Sequence, residues 1–159
     1  MAGGEPDHGL IAVNVSTAIH NALRAKSNNC RVYSSDVKIA INRANRRCYP
    51  DVSVVCGPEK RDIKESKAII NPILVVEVLS ESTELLDRGE KFRAYIQIET
   101  LQEYVLISQE KALVEIFSKT PDGTWSIKSF AGLNQKIEIP ALAIALNSTD
   151  LYYGLEKLS

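Results

Sequence analysis

Cysteine is scarce in this chain. Cys30, Cys48 and Cys56 are the only three. An odd count without C-x-x-C spacing argues against a zinc site or a disulfide framework. They read as small buried thiols of a reducing cytosol, so the expected location is cytoplasmic. Histidine is scarcer still, with His8 and His20 alone. No apolar run is long enough to span a bilayer, and no basic-then-apolar leader opens the sequence, so no membrane partner is expected. Internal repeats and low-complexity stretches are missing. An excess of one charge is missing too. The net charge is −1, so the field of the whole molecule selects no polyanionic partner, and a nucleic-acid surface has to be a local patch. No basic run interleaved with aromatics marks a surface for single strands.

What is present is an ordinary globular mixture. The chain has 159 residues, 45% apolar and 25% charged, which fits one domain over 1–159 with a sizeable core. Residues 6–26 read as a helix, because Ile11, Val15, Ala18, Ile19, Ala22 and Leu23 fall on one stripe. Cys30 to Ile41 reads as extended and Asn42 to Arg47 as a polar, basic turn. Val52 to Cys56 reads as a strand, and the charged run Glu59 to Lys67 as a solvated loop. A helix is expected from Ser82 or Thr83 to about Ile98, with Leu85, Phe92, Tyr95 and Ile96 facing inward and Gly89 weakening its middle. Glu103–Ser108, Leu113–Ser118, Trp125–Phe130 and Lys136–Ile139 read as strands. Leu142–Leu146 is a strand or a buried loop, and Ser148-Thr149-Asp150 can start a short helix. This order predicts an α/β fold, a central mixed sheet flanked by helices.

One segment raises a question. NPILVVEVLS, residues 71–80, reads as a buried strand, yet Glu77 sits in its middle. A lone buried carboxylate is costly unless it is paired, bound to metal or protonated. Strand alternation puts Glu77 on the face of Ile73, Val75 and Leu79, and Asp51 on the face of Ser53 and Val55. If the two strands are neighbours, Asp51 and Glu77 converge at one edge. Two close carboxylates repel unless a cation separates them. Hard oxygen donors of this kind suit Mg²⁺ or Mn²⁺. Taken singly, Asp51 after Pro50 is also an ordinary turn residue, and Glu77 an ordinary partner for a lysine.

Tyr49-Pro50-Asp51-Val52, then Val75-Val76-Glu77-Val78-Leu79-Ser80, then Lys91 with Tyr95, resemble the PD-(D/E)xK nuclease superfamily. More narrowly they resemble its Uma-type, restriction-endonuclease-like bacterial family. Glu5 and His8 at the start of the first helix fit that pattern, as does Gln102-Glu103-Tyr104-Val105-Leu106-Ile107. The resemblance runs over nearly the whole chain. It implies a restriction-endonuclease-like core and a metal-dependent endonuclease that hydrolyses phosphodiester bonds, with DNA as partner. It also implies metal binding by Asp51, Glu77 and the Val78 carbonyl, with Glu5 as accessory acid. A homodimer, addressing both strands of a duplex, is expected. A further amino-terminal segment ahead of Met1 belongs to the same expectation.

The superfamily lysine, two residues after the second acid, is replaced by Leu79. Lys91 on the following helix is the substitute, and Asp87, Lys91 and Tyr95 share one helix face. Asp87 followed by Lys91 is equally the favoured order of an exposed helical ion pair. Lys38 is a second candidate. His8 is either a base near the metal or a solvent-facing histidine, and His20 reads as solvent-facing. Arg43, Arg46 and Arg47 either neutralise phosphates or form a solvated turn. With Leu79 in the lysine slot, the alternative function is an inactive nuclease-fold module that binds nucleic acid or a protein. An interaction domain without a nucleic-acid role is the third reading.

Overall fold

The computed structural model describes residues 4–158. Helix α1 spans Pro6–Ala25. Strands follow at β1 (Cys30–Ser34), β2 (Lys38–Ile41), β3 (Arg46–Cys48), β4 (Val52–Cys56), β5 (Ala68–Ile69) and β6 (Leu74–Leu79). Two short helices come next, α2 (Glu84–Arg88) and α3 (Glu90–Tyr95). Then come β7 (Glu103–Ser108), β8 (Leu113–Lys119), β9 (Trp125–Ala131), β10 (Lys136–Ile139), β11 (Ile144–Asn147) and helix α4 (Ser148–Leu151).

The main sheet has six strands in the order β1-β4-β6-β7-β8-β9. Only β6 and β7 run parallel; every other neighbouring pair is antiparallel. The sheet is therefore mixed, as expected, with its parallel pair at the centre. All six residues of β6 and all six of β7 are buried. A parallel pair covered on both faces needs no polar side, which is why NPILVVEVLS has no alternation to show. Two smaller sheets attach: β3-β2-β5, and the hairpin β10-β11.

Each face of the main sheet has its own core. Ile11, Val15, Ile19 and Leu23, one turn apart along α1, are all buried and pack on Val52, Val54, Leu74, Val76 and Val78. Each such aliphatic side chain contributes about 1.5–3 kcal/mol by leaving water. The opposite faces of the same strands, Val55, Val75 and Leu79, meet Tyr95, Tyr104, Ile39, Ile41 and Cys48. Thus α1 and the β10-β11 hairpin cover one face, and α3 with the β3-β2-β5 sheet covers the other.

Several expectations need correction. Cys30–Ile41 is two strands in different sheets, because a turn at Ser34–Val37 intervenes. The helix expected over 82–98 breaks at Gly89, whose φ/ψ of −106°/−94° is not helical. A Cβ there would lie 3.0 Å from the Leu85 carbonyl oxygen. The break turns Leu85 outward, 89% exposed, rather than inward. Residues 42–47 are not only a turn, since Asn45 in the left-handed region leads straight into β3. Leu142–Leu146 resolves into a tight turn and the strand β11. The cysteines are not all free. Cys30 faces Cys56 directly across the β1–β4 ladder and the two form a disulfide, while Cys48 is a buried free thiol. Spacing could not show this, because the pairing is created by strand register. The thiol argument for a reducing compartment falls with it.

Candidate active site

The β4–β6 register pairs Val52 with Val76. One step further along the ladder sets Asp51 against Glu77. The Asp51 carboxylate caps the strand edge, its Oδ2 accepting the Val78 N–H at 2.7 Å. In an extended strand the N–H and C=O of one residue point to the same edge, so the Val78 carbonyl is directed to the Asp51 side. His8, in the first turns of α1, reaches in from the other core: its Nε2 lies 3.3 Å from the same Asp51 oxygen. Its pKa is raised, first by that hydrogen bond and then by the charges of Asp51 and Glu77 and by the Val78 backbone, against the pull of burial.

Glu77 is 3% exposed. Its Oε1 accepts from the Tyr95 hydroxyl at 3.0 Å and from Lys91 Nζ at 3.2 Å. Lys91 Nζ also lies 2.9 Å from Asp87 Oδ1. That contact is an ion pair between a partly buried ammonium and a buried carboxylate. The pair expected to be exposed is thus buried: Asp87 is 1% exposed, because α2 drops its carboxylate toward the sheet. Asp87, Lys91 and Tyr95 stay on one side across the break at Gly89.

Burial pushes the Glu77 carboxyl up to about 8, with the charges of Asp51 and Asp87 adding to it and Lys91 opposing it. Burial pulls Lys91 down, but Glu77 and Asp87 outweigh it and hold the ammonium charged. These two directions conflict if Glu77 and Lys91 are treated as a simple pair. They agree once the surplus is counted: Glu77 feels two further carboxylates, Asp51 and Asp87, against one ammonium, and keeps its proton until more positive charge arrives. The Tyr95 hydroxyl, buried above Glu77, is raised well above its ordinary value by desolvation. It stays a donor.

The donor set suits a small divalent ion. Two carboxylates and a backbone carbonyl are hard oxygen donors. Glu77 Oε1 is pinned by Tyr95 and Lys91, and Asp51 Oδ2 by Val78 and His8, so each carboxylate keeps a second oxygen. Among the described residues no three His, Cys, Asp or Glu side chains form a metal cage. An ion placed here would have few protein ligands and would take the rest from water, as Mg²⁺ commonly does.

Other candidates fall into place. Leu79 is buried under the α3 face, so the usual lysine slot points into packed apolar side chains, and the ammonium arrives from α3 instead. Lys38 is turned away: it pairs with Glu65 and lies over the Tyr49 ring. Glu5 caps α1, and its Oε2 accepts from Gln109 Nε2 at 2.6 Å; no ion pair or hydrogen bond joins it to Asp51 or Glu77. Arg46 pairs with Glu90 of α3, and Arg47 with Asp62 and Glu65. His20 is exposed.

Sequence reasoning missed two residues. The sequence sets Asp87 on one helix face with Lys91 and Tyr95 but gives it no role beyond an exposed ion pair with Lys91. Gln109 was not seen at all. Its side chain is fully buried, with Oε1 unsatisfied, and its backbone N–H reaches the Leu79 carbonyl at 3.3 Å. It therefore stands at the carboxyl ends of β6 and β7 and holds Glu5 beside them. Nothing in a lone Ser-Gln-Glu triplet signals that. A surface groove of about 500 Å³ between α1 and β11, lined by Asn14, Asn21, Asn147, Asp150 and Tyr153, includes neither Asp51 nor Glu77.

A mixed sheet flanked by helices, with an acid at the end of β4 facing an acid within β6, is the architecture of restriction-endonuclease-like nucleases. The chain belongs to the Uma2 family, described as "Putative restriction endonuclease", whose model matches residues 1–149. It is 40% identical over 155 residues to the uncharacterized protein slr1290 of Synechocystis sp., an alignment spanning 98% of this chain and 79% of that protein. It is 32% identical over 144 residues to the uncharacterized protein sll1609 of the same organism, spanning 91% of this chain and 80% of that one. Among solved structures, it matches the crystal structure of a "putative nuclease belonging to DUF820" from Anabaena variabilis, with a TM-score of 0.75. That match covers 95% of this chain and 83% of the other at 15% identity, so it bears on the fold alone. Family membership supports a nuclease-like function.

Proposed function

We propose that the protein is a Mg²⁺-dependent endonuclease, accepting Mn²⁺, that hydrolyses phosphodiester bonds in DNA. One observation carries this reading. The Asp51 carboxylate, bonded to the Val78 N–H, faces Glu77, and the only ammonium in the group, Lys91, lies 3.2 Å from Glu77. Asp51, Glu77 and the Val78 carbonyl would hold the ion. When bound, it would supply a water of lowered pKa and neutralise charge building on the phosphate.

The chain's own residues do the rest. Lys91 stands where the lysine of this nuclease class is needed and offers its charge to the attacking water and the phosphate oxygens. Asp87 holds that ammonium in place and charged. Tyr95 fixes one Glu77 oxygen, leaving the other for the ion. His8 orients Asp51 and, when protonated, adds a second positive charge beside the phosphate position. Glu5, steadied by Gln109, is an accessory acid near the carboxyl ends of β6 and β7. A homodimer would bring two such sites to the two strands of a duplex.

The test is cleavage by purified protein with Mg²⁺ or Mn²⁺, set against Asp51→Ala. Activity should fall at least about 10³-fold, the upper range for losing one preorganised charge stabiliser. A folded wild-type protein that cuts no nucleic acid with either ion, or cleavage indifferent to Asp51→Ala, refutes the proposal.

A further inference from the structure

The run Glu59–Lys67 alternates in charge and reads as a solvated loop, but the structure sorts its charges by side. The acids are consumed inward. Glu59 accepts from the Tyr33 hydroxyl at 2.6 Å and pairs with Arg61 at 2.6 Å. Asp62, 6% exposed, accepts from Asn42 Nδ2 at 2.7 Å. Glu65 is held by Arg47 at 2.7 Å and by Lys38. The backbone is braced as well: Asp62 N–H donates to the Ala68 carbonyl, Ala68 N–H to Glu65, Ile70 N–H to Lys60, and Lys60 N–H to the Asn71 side chain.

What remains outside is of one sign. Lys60, Lys64 and Lys67 are exposed and pair with no acid among the described residues, and the same holds for Arg43 beside Asn42. Between them stands Ile63, 100% exposed. A scattered surface isoleucine needs no explanation. A fully bare one on a rigid loop, flanked by unpaired lysines, has the composition of a nucleic-acid wedge: cations on phosphates, an aliphatic tip against sugars and base edges.

The position fits. The loop is tied by Arg47 to β3, and Asp51 lies four positions on from Arg47, so the chain spans at most about 14 Å between them. The β3-β2-β5 sheet that carries the loop packs on the same face of the main sheet as Glu77 and α3. A duplex lying at Asp51 would pass the loop within its own width.

We infer that the 59–67 loop is a docking element for duplex DNA, with Lys60, Lys64, Lys67 and Arg43 on the phosphate backbone and Ile63 entering the minor groove. The inference rests on the nuclease reading above, and it assigns that site its means of holding a duplex.

Anisotropy of a fluorescein-labelled duplex, titrated in EDTA over a range of salt, tests it. Each lost phosphate contact lowers the slope of log K against log salt by about 0.9. Replacing Lys60, Lys64 and Lys67 by Gln should therefore flatten the slope by about 2–3 and weaken binding at least about tenfold at 0.1 M salt. The same three positions as Arg should keep the slope. Ile63→Ser should weaken binding several-fold with the slope unchanged, because its contact releases no counterions. In cleavage assays the glutamine and Ile63→Ser variants should raise KM and leave kcat alone. Wild-type slope and affinity in the glutamine variant overturn the inference. So does an Ile63→Ser variant that changes only the oligomeric state, which would make the loop a protein contact. In either case Asp51-dependent cleavage survives as a separate result. If wild-type protein shows neither cleavage nor salt-dependent duplex binding, the nuclease reading itself has failed.

Discussion

The two faces of the central sheet are made from the same strands and do different work. On the α1 face, Val52, Val54, Leu74, Val76 and Val78 meet Ile11, Val15, Ile19 and Leu23. These contacts between helix and strands are aliphatic. On the α3 face, one residue along in the same strands, Glu77 stands among Tyr95, Tyr104, Cys48 and the Lys91–Asp87 pair. A cluster of tilted aromatic rings, Phe92, Tyr104, Phe117 and Tyr95, with contacting ring centroids 4.8–6.1 Å apart, packs on that side. The first face holds the fold at a fixed register. The second uses that register to keep charges in a place where water would otherwise screen them. His8 is the link, since it belongs to the helix of the first face and touches the acid of the second.

Substitutions can break this division of labour. Of the changes that set one face against the other, Lys91→Met has the largest expected effect. It leaves Glu77 and Asp87 buried without a cation, a loss of about 3–5 kcal/mol when one partner of a buried pair is removed. Cleavage should fall about 10²-fold or more; chemical denaturation and single-turnover cleavage read the two effects separately. Leu74→Ala, on the opposite face, should cost about 2–5 kcal/mol through transfer and cavity terms. The cleavage rate of its folded fraction should stay at the wild-type value. Equal losses of activity from these two changes would erase the distinction between the faces.

A pH experiment sharpens the comparison. The Glu77 carboxyl is pushed from its ordinary 4.5 up to about 8, so the native state keeps a proton that the unfolded chain releases. The stability contributed is fully present below about pH 4 and is lost as pH rises to about 8. Glu77→Gln, neutral throughout, should abolish this fall, so its melting temperature should exceed that of the wild type by more at pH 8 than at pH 5. A divalent ion favours the carboxylate, and its binding should therefore release a proton. Calorimetry with Mg²⁺ in buffers of different ionisation enthalpy should detect that release near pH 7 and see it fade above pH 8. The smallest effect is that of Tyr95→Phe. Removing one donor from Glu77 should cost about 1 kcal/mol in stability. Mg²⁺ affinity should fall about tenfold, as when a group that orients a ligand is lost.

The site was partly legible beforehand. Glu77 announced itself as an acid inside an apolar run, and Asp51 by its place before a strand. Their convergence needed only strand alternation and the assumption that β4 and β6 are neighbours. Lys91 came from the family resemblance, and helical spacing set it on one face with Asp87 and Tyr95, although the helix expected there is two helices. Asp87 was misjudged because i,i+4 spacing says which residues meet and not whether they are wet. Gln109 and the Cys30–Cys56 pair were invisible, since their partners lie 104 and 26 residues away. The same holds for the 59–67 loop, where alternating signs hide which charges are spent internally.

The order of elements, the stripe of α1, the buried central strands and the two acids follow from local pattern, because periodicity and burial act on neighbours along the chain. Register, the break at Gly89, the burial of Asp87, the disulfide and the outward lysines follow from which segments meet. That choice is made by packing over long separations, where the entropy of closing the chain is offset only by contacts no short stretch contains.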